Sequence, residues 1–237
     1  MDTRCESVSL VCNKDNVLNR YIPYTEDLNR GYTDVANNTK KTLKKLILLI
    51  LILNLSCKSQ SSTPELKAHF SADQIADLQK ITEFFENQIC KTNQTDFKNC
   101  FEPILPNLID FGYEPIFKLI DFRLQNELYE SIGEKTFNEI WNFCKTTKLK
   151  TNEKYQSLCA KGVEGKYADF LLAVGQENKF VKKYAKRLIA SGDFESSALL
   201  QQWIYTNKES FDLENPNIKL LIAIHFLSIN DQEKRTE

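Results

Sequence analysis

Cysteine carries most of the chemistry this chain has to offer. Of seven cysteines, Cys90, Cys100, Cys144 and Cys159 form an even set in the C-terminal part, Cys57 follows an apolar run, and Cys5 and Cys12 lie near the start. The set contains no close Cys-x-x-Cys pair, its nearest spacing being ten residues, so a cysteine zinc site fits poorly. Disulfides fit better. Three pairings are open, and the local ones, Cys90 with Cys100 and Cys144 with Cys159, are favoured. Each closes a short loop, for which chain entropy gives about 3 kcal/mol. The alternative is four buried, reduced thiols.

Other reactive types are sparse. Histidine occurs twice. His69 falls where a polar stretch meets the first strong helix and reads as an exposed spacer. His225 lies on an apolar helix face with no Asp or Glu one helical step away, and reads as a core histidine rather than a base. Glu83 and Glu86 flank an apolar stripe and read as a solvated helix face. With Glu102 they are the candidate acids if the chain is a cell-wall hydrolase, which needs two carboxylates about 5–9 Å apart across a cleft. Neither His-Glu-x-x-His, Gly-x-Ser-x-Gly nor a glycine-rich phosphate loop occurs. No catalytic residue, metal or cofactor is expected, and the lone Gly-x-x-Gly at 162–165 reads as a turn.

Large aromatic residues offer binding rather than catalysis. Tryptophan is enriched at interaction hot spots, which singles out Trp141 and Trp203, although the core is the commoner place for both. Phe84 beside Phe85, and Phe143 close to Trp141, make their stripes wider than one buried helix face requires. Phe84, Phe143, Trp141 and Trp203 are therefore the expected partner-facing residues.

The elements that must position these groups read as helices. Gly and Pro are scarce, at 7 and 6, while Phe and Tyr number 15 and 9; few turn residues and many bulky ones favour helices around an aromatic core. Ser71 and Gln74 form a capping box, and Ile75, Leu78, Ile81, Phe85 and Ile89 follow at helical spacing to Cys90. Residues 91–99 read as a polar loop. A short helix from Pro103 or Pro106 stops at Gly112, and a longer one from Glu114-Pro115 runs to about Gly133. Phe137, Ile140, Trp141 and Cys144 share a face if a helix spans 134–144. Residues 145–153 then read as a loop, and Tyr155 to Cys159 as a short helical turn. Helices over 165–174, with a strand over Phe170 to Val174 as the alternative, and over 177–190 follow, the latter stopped by Ser191-Gly192. Asp193 reads as the cap of a helix over 194–206. Asn215 and Pro216 open a final helix so apolar from Ile218 to Leu227 that it should be central. The expected fold is all-α, one compact domain of about seven to eight antiparallel helices.

The N-terminal part reads differently. Lys40, Lys41, Lys44 and Lys45 precede an apolar run from Leu46 to Leu53, then Asn54, Leu55, Ser56 and Cys57. The run falls short of the roughly 20 residues a spanning helix needs and suits a signal-peptide core with a basic flank. With Leu55-Ser56-Cys57 at its end, the segment resembles a bacterial membrane lipoprotein signal, covering residues 40–57. The resemblance implies diacylglyceryl transfer to the Cys57 thiol and cleavage before it. Asn54 departs from the leucine usual three positions before that cysteine, and an uncleaved signal anchor or a buried apolar helix are the alternatives. With the residue patterns above, the expected organisation is a disordered leader or mis-set start over 1–39, a signal over 40–56, lipidated Cys57 with a flexible tether to 69, a helical domain over 70–230, and a frayed tail over 231–237, of which the resemblance implies the signal and the lipid.

Charge narrows the partners. The chain carries a net charge of -1, and residues 1–57 hold eight Lys and Arg against six Asp and Glu, leaving the remainder mildly acidic. That balance implies no nucleic-acid surface. The expectation is a lipid-anchored module of the bacterial envelope, on the outer-membrane or periplasmic side, binding an envelope protein or peptide. An envelope hydrolase using surface carboxylates, and a carrier of a small apolar ligand, are the alternatives.

Overall fold

Residues 62–91, 96–147, 152–195 and 198–235 are described by the structure, a computed structural model. The expectations for residues 1–61, including the leader, the signal-like segment, Cys57 and most of the tether, lie outside the described residues. In chain order the elements are α1 (Pro64–His69), α2 (Ala72–Cys90), α3 (Phe97–Phe101), α4 (Leu105–Phe111), α5 (Glu114–Phe117), α6 (Phe122–Ser131) and α7 (Glu134–Ile140), then strands β1 (Trp141–Thr147) and β2 (Lys154–Ala160), then α8 (Lys166–Val174), α9 (Lys179–Ser191), α10 (Leu199–Thr206) and α11 (Pro216–Lys234). The result is a mainly helical domain with a small antiparallel sheet of two strands.

Local chemistry accounts for several of the helix ends. Ser71 Oγ accepts from the Gln74 N–H and Gln74 Oε1 accepts from the Ser71 N–H, closing the expected capping box of α2. Asn178 Oδ1 accepts from the Phe180 and Val181 N–H groups at the start of α9. Gly192 ends α9 with φ +69°, a conformation that favours glycine. Asn215 caps α11 and Pro216 takes its first position.

Helix α11 forms the axis of the core. From Leu220 to Asp231 every residue is buried, as befits a helix apolar on all sides. Phe226 stacks on Phe85 of α2 at 5.9 Å and meets the edge of Phe101 at 5.7 Å. Aromatic pairs at such separations add to the stabilisation from burial alone. The helix also buries polar groups, several of them paired across the core. Asn230 Nδ2 donates to Gln125 Oε1, and Gln125 Nε2 donates to the Leu227 carbonyl.

Several expectations are corrected. The fold is not all-α: α7 stops at Ile140, and the stretches read as helix to Cys144, loop from 145 and helical turn at 155–159 contain the two strands. The Phe137, Ile140, Trp141, Cys144 spacing mimics a helix, but from Trp141 onward side chains alternate at period two. The helix expected over 114–133 breaks at Lys118–Ile120, because Asp121 caps a new one, its Oδ1 accepting from Arg123 and Leu124. Phe97, placed in a loop, starts α3 and is buried. Asp193 does not cap the helix over 194–206, which begins only at Leu199. Its carboxylate instead accepts from the N–H groups of Ala160 and Phe194 and from Gln232. Pro64–His69, the last part of the expected tether, is helical, and its Leu66 is buried. The tail expected to fray at 231 stays helical to Lys234, and Asp231 is buried.

The hairpin is pinned at its base. Gly165, at the start of α8, lies against the α7 backbone so closely that a Cβ there would meet the Glu139 carbonyl oxygen at 2.2 Å. The Gly-x-x-Gly stretch serves as the turn that brings the chain from β2 to α8.

Candidate functional site

Four aromatic rings run from the core out to the hairpin. Trp141 is fully buried. Its Nε1–H donates to Ser228 Oγ on α11 at 2.8 Å, and that hydroxyl donates to the Ile224 carbonyl at 2.6 Å. Tyr129 of α6 and Phe137 of α7 each lie 5.3 Å from the Trp141 ring. Phe143, two residues along β1, lies 5.7 Å from Phe137 and is 48% exposed. Alternation along the strand explains the series: Trp141 and Phe143 share a face, but only the first is under the helices.

Arg235 completes the site from the end of α11. Its guanidinium lies 5.0 Å over the Phe143 ring and 6.0 Å from the Phe122 ring, within cation–π range. Its Nε donates to Asp231 Oδ1 at 2.5 Å. Asp231 is fully buried, and its Oδ2 has no partner among the described residues. Burial pushes the Asp231 carboxyl up, and Arg235 counters part of that rise. Burial, together with the Asp231 charge, pushes the Tyr129 phenol well above its ordinary value, while Gln125 donates to its oxygen at 2.7 Å. Tyr129 is therefore a neutral ring at neutral pH, not a base.

Between these groups lies an open recess of about 370 Å³, lined by Tyr129, Ile132, Phe137, Phe143 and Arg235 together with Asn126, Glu130 and Glu134. Its walls are mainly apolar and it holds one fixed cation. Such a surface accepts an apolar side chain; it has no nucleophile beside a base.

The other expected residues fall elsewhere. Of the four expected partner-facing aromatics, Phe143 is exposed, whereas Trp141 is a core residue. A ring of that size gains most from complete burial, and its N–H finds a partner there. Phe84 and Trp203 are half-buried against the core, Trp203 with its ring 5.9 Å from Phe180, and neither lines the recess. Glu86 is held by Lys219 at 3.0 Å, Glu102 by Lys208 at 3.8 Å, and Glu83 is exposed. His69 is half-buried at the end of α1. His225 is fully buried, with the Tyr184 hydroxyl 3.0 Å from Nδ1 and the Tyr113 hydroxyl 3.3 Å from Nε2. Desolvation pushes its pKa down to about 3. No cluster of three or more His, Cys, Asp or Glu suited to a metal occurs among the described residues. Nor is any helix among them long and apolar enough to cross a membrane.

Both local cysteine pairs are bonded. Cys90 and Cys100 have Cα atoms 5.2 Å apart, and Cys144 and Cys159 5.9 Å apart. The second bridge runs diagonally across the hairpin, since Cys144 is paired with Ser157 and Cys159 with Asn142. Replacing either pair by serine is expected to lower the unfolding free energy by about 3 kcal/mol. Denaturant titration of the two double variants would measure this, and an unchanged midpoint in either would contradict it.

Sequence reasoning missed Arg235, assigning it to a frayed tail. One signal was present: Asp231 and Arg235 are an acid and a base four residues apart, a helical pair. No family model, curated protein or solved structure matches the chain.

Proposed function

We propose that this protein is a non-enzymatic binding module held at a bacterial envelope membrane by lipid on Cys57. The binding half of the reading is carried by one observation: an exposed Phe143 on the rim of an aromatic recess, backed by a fixed Arg235. Large aromatic anchors beside arginine are the residue types on which interfaces concentrate their energy. The partner is a protein segment that offers an apolar side chain to this recess. The anchoring half is supported by the four lysines, the apolar run and Leu55-Ser56-Cys57. Acyl chains contribute about 0.8 kcal/mol per buried CH₂, so two or more hold a protein stably at a bilayer.

Intact mass of the protein from membranes of a bacterial host tests the anchor. The expected mass is a chain beginning at Cys57 plus acyl groups, with Cys57→Ser shifting the protein to the soluble fraction. An unprocessed chain lacking acyl mass would refute it. For the binding half, Phe143→Ser should abolish crosslinking to the membrane-side partner while leaving the melting temperature within a few degrees. Retained crosslinking would remove the recess from the interface.

A further inference from the structure

We propose that the free edge of β1 is a docking rail for an extended, acidic segment of a partner protein, which pairs with the backbone at Phe143 and Lys145 and drops an apolar side chain into the adjacent recess. This rests on the binding reading of the recess and is independent of the lipid anchor.

The two edges of the hairpin are treated differently. In the register Trp141↔Ala160, Asn142↔Cys159, Phe143↔Leu158, Cys144↔Ser157, the Lys161 N–H donates to the Ile140 carbonyl. In an antiparallel ladder hydrogen-bonded pairs alternate, so the backbone groups of Asn142 and Cys144 face β2. Those of Phe143 and Lys145 on β1, and of Leu158 and Ala160 on β2, face outward. On the β2 side two of the outward groups are occupied: Gln232 Nε2 donates to the Leu158 carbonyl, and the Ala160 N–H donates to Asp193. On the β1 side the N–H and C=O of Phe143 and Lys145 have no partner among the described residues, and both side chains are exposed. Unpaired edge groups are a template for strand addition, and main-chain pairing of this kind supplies affinity while alternate side chains supply specificity.

Glu130 and Glu134 line the recess beside Phe143, so charge selects the occupant only farther along β1, at the lysine end of the rail. Lys145 lies on the same face of the hairpin as Phe143, and Lys154, opposite Thr147, lies on that face as well. Both lysines are exposed and neither has an ion-pair partner among the described residues. A second copy of the hairpin would bring the same cations alongside them. A segment with an apolar residue opposite Phe143 and acidic residues at the next alternate positions satisfies the recess and both lysines together. Opposite charges across neighbouring strands stabilise a pairing, and like charges destabilise it.

The test uses the full-length protein and two blocked peptides, Leu-Thr-Glu-Thr-Glu and its reversed sequence Glu-Thr-Glu-Thr-Leu, with lysine-for-glutamate counterparts. Binding of at least one acidic peptide is expected, with amide exchange at Phe143 and Lys145 slowed at least tenfold, and no binding of the lysine peptides. Lys145→Pro removes the outward N–H without touching the ladder to β2, a position where proline is tolerated. It should weaken binding at least tenfold beyond Lys145→Ala, which removes only the charge. Equal binding by the Pro and Ala variants, binding of the lysine peptides, a dimer in sedimentation, or no binding at all would each overturn the proposal. Binding lost in Phe143→Ser yet intact in Lys145→Pro would overturn the edge while leaving the recess as the interface.

Discussion

Trp141→Ala should lower the unfolding free energy by about 3–5 kcal/mol, the largest loss expected from any single change at the site. The ring is fully buried between Tyr129 and Phe137, and its N–H is bonded to Ser228. Removing it opens a cavity where α6, α7 and β1 meet α11. Trp141→Phe separates the two contributions, since it keeps much of the ring volume and loses the hydrogen bond; a smaller loss of about 1–2 kcal/mol is expected. Denaturant titration followed by circular dichroism measures both. A loss under about 1 kcal/mol for Trp141→Ala would show that this residue does not hold the hairpin on the core, and the geometry of the Phe143 recess would lose its physical support.

Acidification should weaken the fold well before most carboxylates titrate. His225 is buried, so desolvation lowers its pKa from 6.5 to about 3 in the folded state, against a small opposing effect from Glu195. The unfolded chain takes up a proton below pH 6.5 that the folded chain refuses until about pH 3. Stability from this group is therefore complete above pH 6.5 and lost as pH falls, by about 1.4 kcal/mol per pH unit. Tyr113 and Tyr184, which face the ring, stay neutral throughout, their phenols raised by burial. Asp77 works the same way at lower pH. Burial alone would raise its carboxyl, but Lys80, the Gly133 N–H and Thr136 together hold it below 3.8. Asp193 and Asp231, raised chiefly by burial, act in the opposite sense just above their ordinary range. Subtracting the profile of His225→Gln from that of the parent cancels these carboxylates. A difference that is flat between pH 6.5 and 4.5 would contradict the assignment.

Much of the helical framework was legible because its signals are local. The Ser71 and Gln74 box, Gly192, and Asn215 with Pro216 each act within one turn of chain, and each ends or starts a helix where the spacing placed it. The buried character of α11 was legible for a related reason: a helix apolar on all sides has no face to give to water. The errors cluster where a distant partner decides. Trp141 to Thr147 offers a short run compatible with either period, and pairing with β2 together with Ser228 on α11 makes it a strand. Asp193 has the chemistry of a cap but spends its carboxylate on the Ala160 N–H and Gln232, which sequence separation hides.

The sequence by itself determined the cap chemistry, the central helix and the even cysteine set, because these depend on residue type and on neighbours within a few positions. Only the tertiary structure decided that Trp141 is buried while Phe143 is exposed, that Arg235 is folded back over Phe143 rather than loose in a tail, and that outward groups of β2 are bonded while those of Phe143 and Lys145 have no partner among the described residues. Each of these depends on which surface a distant segment covers, and burial, not local spacing, sets the energy of that choice.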